Sequence, residues 1–360
     1  MTLSVDFVLG ADAIAPGLSR AQVPLLEALA TVPSLQVRPL RFSIRRSALL
    51  FPTMYGPFPV WLAASNAAVV HLANSWYAHV VPLVRQPVVV TCHDLIEWEE
   101  ISFGHRRVRL HRRFHNAAWF RGMLHSDAII CVSHATADRI AREAPAVQRL
   151  LRVIHLGIGP QFSPGPPDQR RLHDLGVRQP YVLYVGSEQE RKNLPRLVAA
   201  IARARRNFLD LQFVKVGDHQ TASGRAALLA AVRQDDLDSS TVILDYVSDP
   251  DLVTLYRGAA ATALVSLREG FGFPALEAMA CGSPTVVSDR DSLPEITAGS
   301  ALVVHPLDVE CMAQVLVRAM GDSATAARLR ERGPSQAASF TWSRCAEAYA
   351  CVYREVAGAA

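Results

Sequence analysis

Two glutamates, Glu269 and Glu277, enclose the stretch Gly270-Phe271-Gly272-Phe273-Pro274, which follows an apolar run ending near residue 265. Proline is pre-organised for the first helical position, so a helix is expected to begin at Pro274. Gly282, with Pro284 after it, supplies the left-handed cap that ends the helix. The loop 269–273 then presents backbone N–H groups and a positive helix end, a setting suited to a phosphate or diphosphate. A carboxylate beside a diphosphate would repel it. Ionised carboxylates only accept hydrogen bonds, so these two are useful if they face hydroxyl groups. Glu269 lies in the loop and Glu277 one turn inside the helix, so they address opposite ends of a bound molecule. Polyols at both ends with phosphates between describe a sugar nucleotide. Two blander readings stand beside this one. Glu277 can complement the helix dipole while Glu269 is a surface acid. Gly270-x-Gly272-x-x-Ala275, with Asp289 and Asp291 further on, also fits the loose dinucleotide fingerprint. In that fingerprint the first glycine directly follows the strand, whereas several residues intervene here.

Other candidates sit at the ends of apolar runs. Arg191 and Lys192 follow the run 181–185, with Asn193 expected to cap the next helix. A compact ammonium on a flexible stem suits a moving phosphate charge. His93 and Asp94 follow the run 88–92; a lone histidine there is either structural or functional. The chain has 37 basic residues, of which 35 are arginine and only Lys192 and Lys215 are lysine. Lys215 lies inside an expected buried strand and is read as structural. Arg106, Arg107, Arg109, Arg112, Arg113 and Arg121 gather in one expected helix. That run reads either as a solvated helix face or as a surface for anionic lipid headgroups or a phosphorylated acceptor. Nucleic acid is not an expected partner, because no aromatic platform or recognised module accompanies the arginines.

The elements that must position these residues follow from periodicity. Short β-branched runs at 5–9, 37–41, 69–72, 88–92, 128–132 and 152–155, then at 181–185, 211–216, 241–244, 261–265, 285–288 and 301–304, alternate with helix-length segments. Apolar strands without clean alternation are buried on both faces, which predicts parallel sheets covered by helices. The alternation breaks once, at 157–169, where glycine and proline cluster. The expected class is therefore α/β, with two Rossmann-like domains facing a central cleft. The first spans 1–168 and the second 169–340, with a final helix at 341–360. In such sheets ligands sit beyond the carboxyl ends of the strands.

Glu269-Gly-Phe-Gly-Phe-Pro-Ala-Leu-Glu277 resembles the E-x7-E signature of retaining GT-B glycosyltransferases, specifically glycosyltransferase family 4. Gly186-Ser187-Glu-Gln-Glu-Arg191-Lys192-Asn193 is similar to the family's glycine-to-Arg-Lys-Asn segment, and 242–256, with Val247, to its base-contacting strand and helix. The resemblance implies a GT-B fold and a nucleoside diphosphate sugar donor, with the first domain binding the acceptor and the final helix crossing back to it. It implies that Lys192 and Arg191 stabilise the leaving diphosphate, and that Gly186 and Ser187 border it. Ser187 stands where relatives often carry a second arginine. Glu277 is implied as the ribose ligand and Glu269 as the ligand of the donor-sugar hydroxyls, with Gly270, Phe271, Gly272 and Phe273 closing around sugar and phosphate. His93 matches the family's active-site histidine, with Asp94 orienting it or positioning the acceptor. Ser133 is expected to cap a helix in a Val-Ser-x-x-Thr turn. Gly10-Ala-Asp12-Ala-Ile-Ala-Pro-Gly17 replaces the family's Gly-Gly loop, with Asp12 on the acceptor side.

The implied reaction is glycosyl transfer with retention, from GDP-mannose or a UDP- or dTDP-sugar to a glycan or lipid-linked acceptor in cell-surface polysaccharide synthesis. No metal or other cofactor is expected, since cations and backbone can neutralise the diphosphate. A catalytically inactive nucleotide-sugar-binding subunit and a dinucleotide-dependent oxidoreductase are the competing readings. No apolar run reaches the roughly 20 residues needed to cross a bilayer, and the N-terminus lacks a basic region before an apolar one. Six cysteines without CxxC spacing fit reduced thiols. The expected location is the cytoplasm, with the inner membrane face as a candidate surface.

Overall fold

Strands rich in valine and isoleucine bury both faces only at the centre of a covered sheet, and burial follows that rule strand by strand. The computed structural model describes residues 2–11, 16–42, 57–103 and 110–358. They form two compact units, one of Met1–Gly157 with Phe340–Ala360, the other of Ile158–Ser339. The first carries β1 (Leu3–Ala11), β2 (Leu35–Phe42), β3 (Val69–Leu72), β4 (Val88–Cys92), β5 (Ala128–Cys131) and β6 (Leu151–Val153). They pair in parallel in the order β2-β1-β3-β4-β5-β6. β3, β4 and β5 are buried at every position, while the edge strand β6 is half-buried.

The second unit carries β7 (Tyr181–Val185), β8 (Gln212–Val216), β9 (Thr241–Leu244), β10 (Ala261–Leu264), β11 (Thr285–Ser288) and β12 (Leu302–Val304), again all parallel. Their order, β12-β11-β10-β7-β8-β9, is that of a doubly wound dinucleotide-type sheet. The interior strands are buried throughout, and the edge strands β9 and β12 are only partly covered.

The glycine- and proline-rich stretch 157–169 belongs to the second unit from Ile158 onward, so the boundary falls earlier than residue 168. The cause is side-chain anchoring. Arg257 Nε donates to the Ser163 carbonyl at 2.9 Å, Gln161 Nε2 donates to Asp249 at 3.1 Å, and Phe162 packs edge-on against Tyr256.

The helix Trp342–Gly358 packs on the first unit through buried polar groups. Tyr353 Oη lies 2.7 Å from His71 Nδ1, His71 Nε2 lies 2.9 Å from Thr91 Oγ1, and Thr91 Oγ1 lies 3.1 Å from Tyr349 Oη. Burial, with His93 nearby, pushes the His71 pKa down to about 3, so the ring is neutral and uses one nitrogen as donor and one as acceptor. Replacing Tyr353 by Phe leaves a buried imidazole nitrogen without its hydroxyl. It should cost about 1–3 kcal/mol, read as a lowered urea midpoint at unchanged slope.

Candidate functional site

β8 and β9 extend the second sheet to one side of β7, while β11 and β12 extend it beyond β10 on the other. The strand order therefore reverses between β7 and β10, and the loops leaving their carboxyl ends frame the place where such sheets bind ligands. Those loops are 186–193 and 265–272. Gly186 begins the first with φ +148°, and a Cβ there would lie 2.7 Å from the Tyr184 hydroxyl. That hydroxyl donates to the Ser187 carbonyl at 2.8 Å, closing the turn.

Backbone and side chains stitch the two loops together. The Leu267 N–H donates to the Arg191 carbonyl at 2.7 Å, and Arg191 Nη1 donates to the Arg268 carbonyl at 3.2 Å. Asn193 stands at the start of the helix Leu194–Ala204, but its side chain does not cap it. With φ +63°, it turns its amide inward, and Nδ2 donates to the carbonyls of Val265 (3.1 Å) and Pro306 (2.7 Å). Satisfying two buried carbonyls prevails over capping here. Ser133, in the first unit, does cap its helix, accepting from the Thr136 N–H.

The geometry brings Lys192 and Glu269 together. Lys192 Nζ donates to Glu269 Oε2 at 2.6 Å, with side chains 9% and 11% exposed, and Ser266 Oγ donates to the same oxygen at 3.0 Å. Burial disfavours the charged carboxylate. The nearby charges of Lys192 and Arg191, with hydrogen bonds from Lys192 and Ser266, outweigh it and hold the Glu269 carboxyl below its ordinary range. One expected backbone donor is already engaged: the Glu269 N–H donates to Asp291 Oδ2 at 2.7 Å. Asp291, noted in the sequence only as a possible fingerprint acid, thus holds the loop from a distant turn. No local pattern signals that.

Gly272 precedes the helix Phe273–Ala280 with φ +100°, and a Cβ there would come within 2.8 Å of Leu293 and 2.9 Å of Ile296. At the other end Gly282, with φ +77°, donates to the Met279 carbonyl and Ser283 to that of Ala278, a Schellman closure. Ser292 Oγ donates to the Phe271 carbonyl at 2.9 Å, and the rings of Phe271 and Phe273 meet edge to face at 5.1 Å. Glu277 is buried and accepts from the Tyr256 hydroxyl at 2.8 Å, a partner sequence reasoning missed. The fingerprint glycines thus follow β10 through an intervening loop instead of opening the turn after β7, the unit's first strand. Val247 lies half-buried in the loop after β9.

In the first unit His93 stands just beyond β4. Its Nε2 donates to the Ala73 carbonyl, beyond β3, at 3.1 Å. A carbonyl only accepts, so Nε2 carries the proton and Nδ1 is an acceptor. Burial lowers the His93 pKa against the opposing effects of Ala73 and Asp94. Asp94 is turned to the backbone, where Oδ1 accepts from the Ile96 N–H at 3.0 Å, so the Ala73 contact sets the ring. Asp12, Arg106, Arg107 and Arg109 lie outside the described residues, while Arg112, Arg113 and Arg121 are exposed on the helix Leu110–Met123.

Two parallel doubly wound units with these loops define the GT-B class of α/β fold. Residues 179–322 match the family described as "Glycosyl transferases group 1", and residues 15–162 match "Glycosyltransferase Family 4". The chain belongs to this glycosyltransferase family. It is 32% identical over 179 residues to O-antigen chain mannosyltransferase B of Escherichia coli, covering 46% of this chain and 44% of that protein. The chain therefore matches less than half of that relative's length. In fold it is similar to sucrose-phosphate synthase from Thermosynechococcus elongatus (TM-score 0.80, 21% identity), covering 99% of this chain and 100% of that one. It is likewise similar to HepE of Anabaena in complex with UDP and glucose (TM-score 0.80, 16% identity), covering 98% of this chain and 100% of that one.

Because the folded Glu269 is held below the unfolded carboxylate pKa of about 4.3, its stabilising effect is complete above that pH. It is lost as pH falls through the lowered folded value. The gap in thermal midpoint between the wild type and Glu269→Gln should therefore be widest near neutrality and close below about pH 4. A gap independent of pH would exclude the ion pair as its source.

Proposed function

We propose that this chain is a retaining glycosyltransferase that moves a sugar from a nucleoside diphosphate sugar to a glycan or glycolipid acceptor in cell-surface polysaccharide synthesis. The observation that carries this reading is the buried Lys192–Glu269 pair beside the N-terminus of the helix Phe273–Ala280, at the reversal point of the sheet. A diphosphate entering there meets the Arg191 guanidinium and a positive helix end already in place, and draws the Lys192 ammonium across from Glu269. Preorganised charge of this kind is often the largest contribution to rate. Glu269 then accepts from the hydroxyls of the donor sugar, and Glu277, held by Tyr256, serves the ribose. No metal is required in this scheme. The name of the Escherichia coli relative makes mannose the first sugar to test, and the UDP and glucose held by HepE suit the same donor class.

His93 belongs to the acceptor side. As a neutral imidazole with Nδ1 open to a donor, it suits a sugar hydroxyl. The leaving phosphate takes the acceptor proton on the face it departs from, which yields retention. The exposed Arg112 and Arg113 beside Phe114, itself 63% exposed, suit an anionic membrane surface. Among the described residues no helix is long and apolar enough to cross a membrane.

Purified protein should release free nucleoside diphosphate from one of GDP-mannose, UDP-sugars or dTDP-sugars, and Lys192→Ala and Glu269→Ala should abolish the release. Lys192→Arg should lower kcat by on the order of tenfold or more, because a planar fork replaces a compact ammonium. Tight nucleotide binding without turnover would instead indicate an inactive binding subunit, and NAD(P) binding an oxidoreductase. For the membrane, Arg112→Ser with Arg113→Ser should weaken association with anionic vesicles, and unchanged association removes that part of the reading.

A further inference from the structure

The second lysine of the chain is enclosed completely. Lys215 is on β8, and its Nζ lies 2.6 Å from Glu188 Oε1, both side chains at 0% exposure. The ammonium, which carries three donors, also donates to the Gly217 carbonyl. The other carboxylate oxygen of Glu188 accepts from Arg225 Nε at 2.7 Å, and Arg225 Nη2 donates to Asp245 Oδ1 at 2.6 Å. Four segments are tied by this chain of charges: the loop after β7, β8 itself, the helix Ala222–Gln234 and the turn after β9. Backbone packing reinforces it, because a Cβ on Gly224 would lie 1.9 Å from the Glu188 carbonyl oxygen. That helix is pressed directly onto the loop.

We propose that Glu188, Lys215 and Arg225 are positioning residues that fix the loop 186–193 and, through it, the placement of Arg191 and Lys192. The proposal rests on the reading that those two cations serve the donor diphosphate. Packing alone gives no reason for charge here, since apolar side chains of similar volume fill such a site at no desolvation cost. Opposed charges with a forked guanidinium do something apolar packing does not: they set the direction of a carboxylate. Glu188 is rooted three residues before Arg191 in the same short loop. Its direction is therefore coupled to that of the 3₁₀ turn Glu190–Lys192. At its far end the loop is closed by the contacts with Leu267 and Glu269, so a shift at Glu188 has to be taken up where Lys192 sits.

The test compares the full-length wild type with Arg225→Gln, whose altered side chain is 27% exposed, and with the neutral pair Glu188→Gln/Lys215→Met. Thermal midpoint, amide exchange of 186–193 and steady-state kinetics are read for each. The expected result is a midpoint near that of the wild type, with loop amides exchanging about tenfold faster. kcat should fall on the order of tenfold to a hundredfold, with the donor KM changed less than about threefold. Arg225→Lys, which keeps the charge without the fork, should recover only part of kcat. Wild-type exchange and kcat in Arg225→Gln would overturn the proposal, whether or not the neutral pair folds. If the wild type turns over no sugar nucleotide, the functional reading fails separately, and the exchange measurement still decides whether these residues hold the loop.

Discussion

Taking an ammonium and a carboxylate out of water costs several kcal/mol each unless they meet. The second unit does this twice around a single loop. Lys215 on β8 faces Glu188 at the start of the loop, and Lys192 at its end faces Glu269 across the gap between β7 and β10. Removing one member of either pair deprives a buried charge of its closest opposite charge, so the pairs fix where the loop lies. The tight backbone follows from that. Gly186 has room for no Cβ against Tyr184, and Gly224 has none against Glu188. Asn193 gives up its capping role to hold the carbonyls of Val265 and Pro306, which keeps the second loop within reach of the first.

This arrangement gives the near-absence of lysine a physical meaning. In a chain where arginine outnumbers lysine 35 to 2, both lysines occupy sites with almost no solvent and pair closely with a carboxylate. A guanidinium spreads its charge over a planar fork and presents five donors, more than such enclosures can satisfy. Where space and a partly open rim allow the fork, as at Arg225 bridging Glu188 and Asp245, arginine is used.

Most of the fold was legible because its causes are local. Runs such as Tyr181–Val185 and Val88–Cys92 carry their burial in their composition, and the turns around Gly272 and Gly282 carry theirs in residues that tolerate positive φ. The candidate site was legible only as separate groups. Lys192 and Glu269 each suggested a role, but their pairing joins positions 77 residues apart, and nothing in either neighbourhood encodes it. The same holds for Asp291 on the Glu269 amide, Tyr256 on Glu277 and Ala73 on His93. Lys215 read as structural because a lysine within a buried strand shows no partner in sequence. Its partner, Glu188, sat inside a motif whose attention went to the cations further on. Long-range polar contacts are what a fold adds to a sequence pattern, and they determine protonation state and direction.

The pairing of Lys192 with Glu269 also bears on how the proposed reaction could distinguish a donor from its product. Without ligand the ammonium is engaged by the carboxylate. A diphosphate has to draw Lys192 away from Glu269. That leaves a buried carboxylate whose remaining protein donor in this geometry is the Ser266 hydroxyl. In an intact nucleotide sugar the hydroxyls of the sugar supply the missing donors, so phosphate and sugar recognition support one another through a single ion pair. After transfer the nucleoside diphosphate no longer carries those hydroxyls. Glu269 then recovers its best partner only if Lys192 returns to it, which weakens the hold on the leaving group. Under the proposed reaction, the contact that stabilises the empty site is thus also the one that favours the donor over the spent nucleotide.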